Sequence, residues 1–135
     1  MSETRSQKMA QTAYERVNER FKGSEKDVKE YTTFAKKFPA LVHTCGLAQA
    51  LAFAKAKDHS DYLDDLREVL GEIDNSLKKV DLIDYTNRLP LVDYMRLSRD
   101  AISAASWLKR YVEAEKAVEK ANRDKTDPRS SASEG

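Results

Sequence analysis

The sequence predicts an all-α protein, a single-domain bundle of about five helices around a central apolar helix at residues 40–57. Three observations point there. Only four Gly and three Pro stand among 135 residues, too few turn formers for a β-sandwich. Apolar residues return at the spacing of one helical face through most of the chain. A hydrophobic fraction of 40% beside a charged fraction of 35% describes helices wet on one side. A chain of this length buries roughly two-thirds of its unfolded surface, enough for one core without cross-links.

The first helix is predicted from about Ser6 to Lys22, with Ala10, Tyr14, Val17 and Phe21 on one face and Ala13 beside them. Glu15, Arg16, Glu19 and Arg20 take its wetter flank, and Gly23 stops it. Ser24 then caps a second helix, with Asp27 imitating a capping box. That helix buries Val28, Tyr31, Phe34 or Ala35, and Phe38, and ends near Lys37, because Pro39 disfavours helical geometry at the residue before it. Pro39 opens the third helix, where its missing N–H costs nothing. From Leu41 to Ala56 the segment is apolar almost all round, which sets it at the centre of the bundle, with Gly46 marking a close helix crossing. Ser60 caps the fourth helix, whose stripe is Tyr62 or Leu63, Leu66, Val69 or Leu70, Ile73 and Leu77. Residues 80–92 read as a connection holding one helical turn. The last helix runs from Leu91 or Asp93 to about Asn122, turning Tyr94, Leu97, Ala101, Leu108 and Val118 inward, with Ser98 able to cap a fresh start. Residues 1–122 are thus the expected bundle, and the polar 123–135 a disordered tail.

Catalytic chemistry finds little support. Cys45 is the only cysteine, which excludes an intramolecular disulfide and a multi-cysteine zinc site, and it reads as a small core hydrophobe. His43 and His59 lack any HExxH or Glu-x-x-His partner, and His43 and Cys45, two apart, point to different helix faces. No Gly-rich phosphate loop or nucleophile elbow is present. No catalytic residue, metal or cofactor is expected. No apolar run of 18 residues exists to cross a membrane, and the first 22 residues lack a signal-peptide core, so a cytoplasmic protein is expected.

The formal net charge of +1 hides a strong segregation. Residues 1–57 carry 11 basic and 6 acidic side chains, whereas residues 58–94 carry 4 basic and 10 acidic. The acids Asp61, Asp64, Asp65 and Glu68 follow each other at helical spacing and read as a solvated face suited to a basic partner surface. Arg16 with Arg20, Lys36 with Lys37, and Lys109 with Arg110 would form one positive surface for phosphates if their helices pack together. Trp107 reads as a buried anchor between helices in preference to a base-stacking platform.

Three segments taken together carry a family resemblance: YTTFAKKFPALVHTCGLAQALAF from Tyr31 to Phe53, DYMRLSRD from Asp93 to Asp100, and ASWLKRY from Ala105 to Tyr111. In this order they resemble the small helical subunit of the Cmr complex, the type III-B CRISPR RNA-guided effector, over roughly residues 5–121. The resemblance implies a non-enzymatic protein that stacks in copies as a minor filament and helps accommodate target RNA. Its partners would be other Cmr subunits, further copies of itself, and the guide and target RNA. It assigns RNA contacts to Lys36, Lys37, Lys109 and Arg110, with Arg16 and Arg20 behind them, and leaves Gly46 and Gln49 as packing residues as readily as contacts. Sequence recognition would come from guide pairing, so these cations would bind phosphate without reading bases. The acids Asp61, Asp64, Asp65 and Glu68 would meet the next copy. The rival reading is a generic helical adaptor that binds proteins through apolar grooves without nucleic acid.

Overall fold

The computed structural model of the chain describes residues 4–126, which form six α-helices and one 3-10 turn. Helix α1 (Arg5–Arg20) opens on a complete capping box, in which the Thr4 side chain accepts from the Gln7 backbone and the Gln7 side chain accepts from the Thr4 backbone. Its inward face is Met9, Ala13 and Val17, one step round from the predicted stripe, so Tyr14 is exposed. Helix α2 (Glu25–Cys45) starts, as expected, with the Ser24 hydroxyl accepting from the Asp27 N–H.

The largest departure from expectation comes next. Helix α2 runs straight through Pro39 and stops at Gly46, so the apolar stretch at residues 40–57 is the end of α2 plus a separate α3 (Leu47–Ala56). Pro39 withdraws one ladder hydrogen bond, but Phe38 and Val42, both buried, hold the helix on course across it. Gly46 turns the chain with φ 86° and ψ 159°, a region essentially confined to glycine. A Cβ there would meet only the Tyr94 hydroxyl, at an ordinary 3.5 Å. Backbone conformation, then, requires this glycine, and an alanine would cost about 1–3 kcal/mol. The stretch looks core-like because it is rich in alanine, a strong helix former that tolerates water. Ala52 and Ala56 are exposed, as is Cys45, which is not a core residue.

Helix α4 (Ser60–Gly71) has His59 at its cap position without a side-chain bond, and Ser60 as its first residue. The 3-10 turn Asn75–Lys79 and α5 (Leu82–Asn87), capped by Asp81, carry the chain to α6 (Leu91–Thr126). Helix α6 is unbroken at Ser98, passes Asn122, and leaves Val118 exposed. The rest of the expected tail lies outside the described residues.

Helix α6 occupies the middle, against α1, α2 and α4. It runs parallel to α1, since Arg5 meets Asp100 and Tyr14 meets Tyr111. It runs antiparallel to α2, because the Tyr94 hydroxyl accepts from the Ala48 N–H beyond one end of α2 while Lys116 and Glu119 flank Val28 at the other. The core joins Phe34, Phe38 and Tyr62 to Leu66, Leu70, Leu108 and Val112, all essentially inaccessible.

Candidate functional site

Charge is the chemistry this surface offers, and the fold sorts it into two kinds. Asp65 is fully buried between α1, α2 and α4. Arg16 Nε donates to its Oδ1 at 2.7 Å, and Arg20 donates from Nε to Oδ2 at 2.9 Å and from Nη2 to Oδ1 at 3.0 Å. The Tyr31 hydroxyl donates to Oδ2 at 2.6 Å. A buried carboxylate needs this degree of pairing. The bond to Asp65 in turn fixes the charge on Arg20 more firmly than usual. Burial, with the Asp65 charge beside it, pushes the Tyr31 phenol well above its ordinary range, and the same two causes act on Tyr62.

This network corrects three of the expected site residues. Asp65 is an internal anchor and is not on the acidic face. Arg16 and Arg20, expected on the wet flank, have about a third of their side chains exposed and turn their guanidinium groups onto Asp65. The remaining acids divide: Asp61 is half-buried, its carboxylate accepting from the Tyr62 N–H within the first turn of α4 and its carbonyl accepting from Arg20 at 3.2 Å. Asp64 is exposed, 3.5 Å from Arg67, and Glu68 is half-buried.

The other expected cations carry no ion pair among the described residues. They do not form one patch. Lys36 is exposed on the row that continues Val28 and Thr32 at four-residue steps, and Lys109 lies two turns before Lys116 on α6. Val28, Lys29, Thr32 and Lys116 line the groove between α2 and α6, and helical spacing sets Lys36 and Lys109 on the rows that continue it, outside its lining. Lys37 points to the α3 side, with its ammonium 5.4 Å from the Phe53 ring. Arg110 lies 4.8 Å over Trp107, on the α1 side, where Trp107 stacks on Tyr111 and Tyr111 meets Tyr14. Trp107 is half-buried, neither a sealed anchor nor a bare platform.

A further basic cluster went unpredicted. Lys26, Lys29 and Lys37 share one side of α2 and line a groove of about 430 Å³ with Phe34 and His59. Their spacing of three and eight residues was the available signal; what hid it was His59, which only the fold brings to α2.

Among the described residues no group of three His, Cys, Asp or Glu side chains gathers to hold a metal. No described helix is long and apolar enough to cross a membrane. His43 is exposed on α2.

Comparison with known proteins agrees along most of the chain. The sequence model of the CRISPR-associated protein family Cas_Cmr5 matches residues 5–115. The CRISPR system Cmr subunit Cmr5 of Thermus thermophilus is 40% identical over 114 residues, covering 82% of this chain and 95% of the relative. The crystal structure of a CRISPR-associated Cmr5 family protein from the same organism superposes with a TM-score of 0.72 at 41% identity, covering 83% of this chain and 97% of that one.

Proposed function

The chain belongs to the Cmr5 family of CRISPR-associated proteins, and from that premise we propose that it is a non-catalytic small subunit of a type III-B effector that helps hold target RNA. It acts in the cytoplasm with the other Cmr subunits. One observation carries the RNA part of this reading: Arg16 and Arg20 are both tied to Asp65, whereas Lys36, Lys37, Lys109 and Arg110 are left without acidic partners among the described residues. Unpaired cations bind phosphate without reading sequence, which suits a subunit whose specificity is delegated to a guide. Copies stack head to tail, a heterologous contact that needs two complementary faces. Asp64 and Glu68, with Asp61 at their edge, supply the acidic one.

The test is target affinity of the assembled complex at several salt concentrations. The K36E/K109E variant is expected to bind more weakly, with the log affinity against log salt slope flattened by roughly 0.7 for each lost contact. Unchanged affinity and slope would contradict the RNA assignment. In the same preparations, D64K/E68K is expected to lose copies of the subunit from the particle, and full occupancy would refute the stacking assignment.

A further inference from the structure

The groove on the α3 and α4 side of α2 has features that the α2–α6 groove lacks. Lys37 and Lys57 converge on one ring, their ammonium groups 5.4 and 5.9 Å from the centre of Phe53. Lys37 also stands 6.0 Å from the centre of Phe34. The other face of the cluster is His59, stacked on Phe34 with centroids 3.9 Å apart. Phe53 and His59 are each part-exposed. Lys26 and Lys29 extend the positive edge toward the start of α2, Lys29 also lining the α2–α6 groove, and Glu30 is the single acid in the lining.

None of the four lysines has an ion pair among the described residues. Like charges gathered on one ring repel, and a bound polyanion removes that repulsion. From Lys26 to Lys37 the helix rises about 16 Å, enough to track several nucleotides. Aromatic faces interleaved with cations bind single strands, since bases stack or graze the rings while phosphates meet the ammonium groups. An acidic protein surface would use the lysines but has no need of the part-exposed rings of Phe53 and His59.

We propose that the groove at Lys26, Lys37 and His59, with Phe53 and Lys57 at its edge, is a second single-stranded RNA site that shares only Lys29 with the α2–α6 groove. This inference rests on the RNA-holding reading above. Its experiment measures a fluorescently labelled single-stranded target RNA binding to the assembled complex carrying K26E/K37E/K57E, which spares the shared Lys29, with K36E/K109E in parallel. Lys26, Lys37 and Lys57 are exposed, and a glutamate at position 26 sits in the first turn of α2, where the helix dipole favours it. The triple variant therefore folds, as circular dichroism and melting will verify.

The expected result is at least a tenfold loss of affinity at low salt and a slope flattened by about 2, with subunit occupancy intact. Unchanged affinity and slope in the triple variant, with loss in K36E/K109E, would overturn the second site and leave the RNA-holding role standing. Unchanged binding in both variants would overturn both. Loss of the subunit from the particle before RNA is added would also overturn the proposal, because it would assign the groove to an acidic protein neighbour.

Discussion

Replacing Asp65 by alanine is expected to lower the folding stability by about 3–5 kcal/mol, the cost of breaking a buried ion pair by removing one partner. The carboxylate is fully buried and accepts from two arginines and a tyrosine. Its removal strands the Tyr31 hydroxyl and leaves Arg16 and Arg20 facing each other with no charge between them. Tyr31→Phe deletes one bond to a charged acceptor and should cost about 1.5–3 kcal/mol. Denaturant unfolding of the purified chain measures both. The arginines share one acceptor, so D65A and R20A should be strongly non-additive when combined. A D65A protein within about 1 kcal/mol of the parent would refute the anchor role, since surface substitutions commonly stay below that.

The second large effect belongs to Tyr62, whose ring is fully buried against Phe34 at 5.3 Å, Phe38 at 5.0 Å and Tyr31 at 5.8 Å. Tyr62→Ala is expected to cost about 3–5 kcal/mol through lost packing and the cavity left behind. Tyr62→Phe should go the other way, neutral or stabilising by about 1 kcal/mol, because the buried hydroxyl finds no hydrogen-bond partner among the described residues. A Phe variant as damaged as the Ala variant would contradict that assignment.

Both phenols also set the alkaline limit. With pKa values raised above 10.0 in the fold, Tyr31 and Tyr62 keep protons that the unfolded chain releases once pH passes that value. Their contribution is complete below pH about 10 and is lost as pH climbs toward the folded values. Melting temperature should therefore fall steeply above pH 10, and less steeply in Y31F and Y62F. A melting curve flat through pH 11 would show that neither phenol is held protonated by the fold.

Helical class, the Ser24 start and the buried faces of α2 and α4 were legible in the sequence, because each rests on local spacing or on a cap within three residues. The Pro39 boundary failed because local preference there lost to burial of Phe38 and Val42 on either side. Gly46 carried the true signal, a glycine inside an otherwise strong helix former, but its positive φ depends on where α3 must go. For Asp65 the clue was present as well. It lies three residues after Tyr62 and four before Val69, an acid on the apolar stripe of its own helix. Arg16 and Arg20 stand three residues after Ala13 and Val17 respectively, on the edge of the α1 core face. Charges in such positions predict internal pairing, though not which partner, since the bonds span 45 and 49 residues. Of the candidate surface, the sequence showed which cations stand on which helix but not their sides: Lys36 and Lys109 fall on rows that continue the α2–α6 groove, while helical phase carries Lys37 and Arg110 elsewhere.

The lysine-bearing grooves on either side of α2 are proposed to face nucleic acid, whereas the arginines of α1 serve the fold. Photo-crosslinking of target RNA in the assembled effector, with adducts mapped by mass spectrometry, tests it most directly. Adducts are expected on peptides from α2 and the middle of α6, around Lys36 and Lys109, with none at Arg16 or Arg20. Adducts confined to α1, or a subunit left unmodified while its neighbours are labelled, would contradict it.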